Sequence, residues 1–146
     1  MQTSNASHLP GAVREGATLG VIVATSTWIW VAGVDAVAGD PFRTFTVLGG
    51  IAAFTAVHSL LNVVYGIAIV AGIHGTRREP TLMMALVFGF LMVEFGFAFL
   101  TAVFSTLGLG ALAWLRLFGG SVIGALVAVA FLSRGYPLVA QLRQAK

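Results

Sequence analysis

Four long apolar runs leave this chain few ways to fold. A hydrocarbon core about 30 Å thick takes roughly 20 helical residues to cross, and residues 17–38, 47–73, 81–103 and 111–132 each reach that length. The breaks between them carry turn and charge signals: "GDPFR" at 39–43, "HGTRREP" at 74–80 and "STLGLG" at 105–110. Short connections make successive helices antiparallel neighbours, so the expectation is an all-α integral membrane protein, a single up-and-down four-helix bundle over residues 1–146. The runs are continuously apolar and lack the two-residue alternation of a transmembrane β-barrel wall. Composition agrees: 58% of the residues are hydrophobic and 9% charged, too apolar for a soluble domain of 146 residues.

Orientation follows from the cations. Arg14, Arg77, Arg78, Arg134, Arg143 and Lys146 fall on the side holding both termini and the central connection, whereas Arg43 and Arg116 fall on the other. Six against two places both termini in the cytoplasm, in the cytoplasmic (inner) membrane. The first run ends on Ala36-Val37-Ala38, a small-residue pattern like a signal-peptide cleavage site, but the run is too long for a cleavable signal. The basic balance is accounted for by this sidedness and by attraction to anionic headgroups, so nucleic acid is not an expected partner. With no cysteine, disulfides, thiol catalysis and thiolate metal sites are excluded.

Lipid gives helices little hydrophobic reason to associate, so small residues and buried hydrogen bonds must supply the contact. Gly16 and Gly20, then Gly120 and Gly124, are spaced as GxxxG, and Gly89 and Gly96 lie one heptad apart. All six are expected at helix contacts, within the chain or against another subunit. Trp114 suits an interfacial anchor, whereas Trp28 lies too deep for one. Phe88, Phe90, Phe95, Phe97 and Phe99 crowd the third run too densely to point inward together.

Polar residues inside these runs are the candidate site. His58, Asn62 and Tyr65, spaced i, i+4, i+7, share one stripe of the second run. Glu94 is the only acidic residue near the middle of any run, and at 1.5 Å per residue it falls about level with His58, both roughly 20 Å from the cytoplasmic ends. A lone carboxylate at that depth must be protonated, paired or hydrated. Arg116 and Asp35 lie about level with each other nearer the outer face. The expected arrangement is a polar core running from Tyr65 through Asn62, His58 and Glu94 to Arg116 and Asp35, with Thr25, Ser26 and Thr27 available from the first run.

Several chemistries fail on spacing. His58 and His74 are roughly 24 Å apart along one helix and cannot clamp a haem. Repeated Glu-x-x-His pairs, zinc ligand sets, phosphate loops and HExxH are missing from the sequence. No metal or other cofactor is expected. The leading functional expectation is a non-catalytic structural or accessory subunit of a larger membrane complex, its partners being the lipid bilayer and other membrane subunits or further copies of itself. The alternative is a proton-linked small transporter or channel using Glu94 and His58. Minor alternatives are a single-histidine pigment site and an intramembrane enzyme built on Glu94, His58 and Arg116.

Overall fold

The computed structural model describes residues 9–76 and 81–135; the side chains of several residues between 81 and 97, Glu94 included, lie outside the described set. Its elements in chain order are α1 (Leu9–Val37), α2 (Arg43–Val47), α3 (Ile51–Thr76), α4 (Thr81–Phe104), an irregular stretch of wide and tight turns over residues 105–118, and α5 (Gly119–Gly135). No strand occurs among the described residues. Three helical stretches, Gly11–Val37, Ile51–Gly75 and Trp114–Arg134, are long and apolar enough to cross a membrane, and Ala98–Leu112 is a shorter apolar one. The described residues are those of a helical membrane protein.

Element bounds depart from the sequence expectation in three places. α1 is already wound at Leu9, ahead of the expected residue 17. The run 47–73 is not one helix: Gly49 and Gly50 both take positive φ, 99° and 94°, and separate the short α2 from α3. The run 111–132 begins helical winding of the ordinary kind only at Gly119. Upstream, Gly108 (φ 127°) and Gly110 (φ 63°) break the path of α4, and the chain passes through wide turns before α5 starts.

Helix α1 is the hub, packing against both α3 and α5. Against α3 the contact is backbone on backbone. A Cβ on Gly16 would strike the main chain at Gly66 and Ile67, one on Gly20 the main chain at Asn62 and Val63, and one on Gly66 the main chain at Gly16 and Gly20. Against α5, Gly120 sits under Thr27, Trp30 and Val31, and Gly124 under Val23 and Thr27. Gly89 and Gly96 differ, because a Cβ on either would meet nothing within 4 Å, so neither is placed at a contact inside this chain.

Beside the glycine contacts, Leu19, Val70, Ile73 and Leu132 form a small buried core, with Val23, Ile69, Ala128 and Phe131 packed around it. The other end of the bundle, made by residues 38–50 and 105–118 and called the distal end, is built differently.

Candidate functional site

At the distal end, Asp35 comes from the last turn of α1 and Arg116 from the irregular stretch before α5. Their side chains are almost wholly shut from the surface, at 0% and 3% exposure. Arg116 Nε lies 2.7 Å from Asp35 Oδ1 as a close ion pair, though the N–H is not aligned for a directed hydrogen bond. A carboxylate so enclosed needs all its acceptor capacity used. Thr44 does this twice: its backbone N–H donates to Oδ2 at 2.7 Å and its hydroxyl to Oδ1 at 2.9 Å. Asp35 thereby satisfies an N–H in the first turn of α2, which has no side-chain cap of its own.

The guanidinium is likewise engaged on its far side, where Nη1 donates to the Leu109 carbonyl at 2.7 Å. Arg43, half exposed, donates through Nε and Nη2 to the Gly108 carbonyl at 3.1 and 2.7 Å, and approaches Asp40 at 3.8 Å. Two connections far apart in sequence are tied together through α1. An aromatic cluster lies beside them: buried Phe45 contacts Trp28, Phe42 and Phe54 with ring centroids 4.9, 5.8 and 5.0 Å away. Phe42 adopts a left-handed backbone (φ 71°), unusual for a side chain of this size.

The polar stripe of α3 forms a second, separate group. His58 is half-buried, stacked on Phe54 at 5.1 Å with the ring planes 10° apart, and its ring nitrogens lie 3.4 Å from Asn62 Nδ2. Asn62 donates to the His58 carbonyl at 2.9 Å, within its own helix. Tyr65 is half-buried and engaged with a neighbouring group. The described bonds therefore bring Asp35 and Arg116 together, and separately bring Asn62 to the ring and carbonyl of His58, with no described bond between the two groups. The expected partnership of Glu94 with His58 or Arg116 lies outside the described residues, as do Arg77, Arg78, Arg143 and Lys146 of the orientation argument. Of the α1 hydroxyls, Thr25 and Ser26 bond back to Val21 and Ile22, and only Thr27 crosses, to the Gly120 carbonyl at 3.4 Å.

Sequence reasoning missed Thr44, Trp28 with Thr55, and Trp30. The indole of Trp28 donates to Thr55 Oγ1 at 3.1 Å and that of Trp30 to the Leu115 carbonyl at 2.9 Å. A usable signal was present for the first: a carboxylate ending an apolar run needs donors nearby, and Thr44 opens the next helical turn. Nothing in the sequence marks which carbonyl Trp30 reaches.

Chemically, the Asp35 node is a closed joint. Both carboxylate oxygens accept bonds from the chain itself, and the guanidinium spans a carboxylate and a carbonyl. No cluster of three or more metal-ligating side chains occurs among the described residues. A surface groove of about 360 Å³, lined by Arg14, Ala17, Thr18, Val21 and Ile22, is open and apolar and lies on the opposite end of α1. The chain matches no protein-family model, no curated protein and no solved structure.

Proposed function

We propose that this chain is a four-span protein of the cytoplasmic membrane, both termini in the cytoplasm, that acts as a non-catalytic structural or accessory subunit of a larger membrane assembly. The observation that carries the reading is the commitment of Asp35 and Arg116, deep in the bundle's distal end, to each other and to Thr44 and Leu109. Charges placed to work on a substrate keep an open approach; these hold connections in place. The apolar helix α4, 24 residues long, supplies the fourth crossing. Its Gly89 and Gly96, together with Met92, Val93, Phe95, Phe99 and Leu100, leave a broad apolar face for lipid or a neighbouring subunit.

Extraction of the tagged chain from its native membrane in a mild detergent tests this reading. Stoichiometric co-purification of other membrane proteins is the expected result, and a solitary monomer would overturn it. Purified chain in vesicles addresses the transporter alternative. A proton-coupled flux abolished by Glu94→Gln would replace the accessory reading, whereas vesicles without flux leave it standing.

A further inference from the structure

The stretch 105–118 joins α4 to α5; its last five residues, Trp114–Phe118, already belong to a membrane-length helical stretch, but residues 105–113 form a connection of the kind that ordinarily lies in water. Its residues argue otherwise. Leu107 is 64% exposed, and Leu112, Trp114, Leu115 and Phe118 are exposed as well. Its only charged side chain, Arg116, is turned inward to Asp35.

The backbone carries the stronger argument. Irregular backbone is costly in lipid because carbonyls that leave the helical ladder find no water there, so such a stretch persists only where the protein supplies donors. Here the donors are supplied one by one: Arg43 to Gly108, Arg116 to Leu109, and Trp30 to Leu115. The hydroxyls are also folded back, Ser105 onto the Ala102 carbonyl and Thr106 onto that of Val103, both at 2.6 Å. A loop in water can leave such carbonyls to solvent, whereas one in lipid cannot. The exposed side chains are continuous with the lipid-facing surfaces of α4 and α5, where Leu100, Val103 and Val122 are also exposed.

We infer that residues 105–118 are embedded in the distal leaflet of the bilayer, with Leu107, Leu112 and Leu115 against lipid acyl chains and Trp114 at the headgroup boundary. Arg43, which reaches the Gly108 carbonyl while its side chain is half exposed, marks the water boundary beside it. The occupant of this surface is lipid, and the stretch is a membrane-seated wedge rather than an aqueous loop.

The natural absence of cysteine makes the test direct. Single variants Leu107→Cys, Leu112→Cys and Leu115→Cys of the full chain are labelled with a nitroxide and reconstituted into phosphatidylcholine/phosphatidylglycerol vesicles. Asp40→Cys serves as the water reference and Leu126→Cys, exposed in the middle of α5, as the lipid reference. Electron paramagnetic relaxation is then read with oxygen, which partitions into lipid, and with a water-soluble nickel chelate. The three test sites are expected to match Leu126→Cys, with nickel accessibility at least about tenfold below that of Asp40→Cys, because the chelate does not enter hydrocarbon. Nickel accessibility equal to that of Asp40→Cys would overturn the inference in favour of an aqueous loop. Exclusion of both reagents would overturn it in favour of burial against another protein copy. Circular dichroism of each labelled variant confirms that a fold is being read, and agreement among three sites guards against one that misfolds.

Discussion

The two halves of α1 are held by different physics. Toward its start, Gly16 and Gly20 let the α1 backbone lie directly on that of α3 at Gly66, and dispersion between closely packed main chains does the joining. Toward its end, the same helix relies on directed groups: Trp28 to Thr55, Thr27 and Trp30 to the α5 side, and Asp35 to Thr44 and Arg116. The division follows from what each half must hold. Two regular helices present ladders with no spare backbone groups, so close packing is enough. The distal half must hold irregular connections whose N–H and C=O groups need partners, and only side-chain donors and acceptors supply them.

Breaking the distal joint should give the largest effect. Removing Asp35 (Asp35→Leu) leaves a guanidinium buried without its counter-ion, and Arg116→Met strands the carboxylate. Each is expected to destabilise the chain by about 3–5 kcal/mol. The double variant replaces a buried pair by apolar groups and should recover much of that loss, so the coupling is favourable and non-additive. Unfolding in mixed micelles by denaturing detergent measures all three. Single losses that simply add in the double variant would show that Asp35 and Arg116 act independently.

Next in size is the proximal contact. Gly20→Ala and Gly66→Ala each drive a Cβ into main chain that no rotamer can move, with an expected cost of about 1–3 kcal/mol from the separation this forces. The same unfolding assay reads it, and a neutral outcome would mean that α1 and α3 do not approach as closely as the glycines allow.

These two regions were unequally legible in sequence. GxxxG spacing marks a face, and residue depth at 1.5 Å per residue sets Asp35 level with Arg116; both are local arithmetic on a regular helix. Spacing did not reveal that Gly16 and Gly20 meet α3 while Gly120 and Gly124 meet α1, because a partner helix is a tertiary choice. Least legible was residues 105–118. Hydropathy reads "ALAWLRLF" as the start of a helical span, yet the positive φ at Gly108 and Gly110 delays regular winding to Gly119. The break is made by the backbone of the two glycines, and hydropathy does not register it because glycine interrupts no apolar run.

A smaller effect separates directed bonds from mere filling in the distal half. Trp30→Phe keeps most of the ring volume against Gly119 and Gly120 but withdraws the N–H from the Leu115 carbonyl. The expected loss is about 1 kcal/mol, the usual net worth of such a bond and within the range measured between membrane helices. Thr55→Val, which removes the acceptor of Trp28, should cost about as much. If Trp30→Phe proves silent while Trp30→Leu does not, the indole acts by volume alone and the donor account of residues 105–118 is weakened.

The smallest effect on the isolated chain belongs to Gly89 and Gly96, and it sharpens the comparison by contrast. Both sit on α4 with nothing within 4 Å of an added Cβ, so alanine there collides with nothing and restricts the unfolded chain. Gly89→Ala and Gly96→Ala should each stabilise purified protein by up to about 1 kcal/mol, opposite in sign to Gly20→Ala. Identical chemistry, glycine to alanine in a membrane helix, then reads out where the chain's own contacts end. Larger residues carry the test into the assembly: Gly96→Leu should leave the purified chain's unfolding nearly unchanged. In native membranes it should reduce co-purification of neighbouring proteins if α4 is the face that meets them, since close helix approach in lipid depends on small residues. Undiminished co-purification with Gly89→Leu and Gly96→Leu together would assign that face to lipid and move the search for a subunit contact to the exposed Leu60, Leu61 and Val64 of α3.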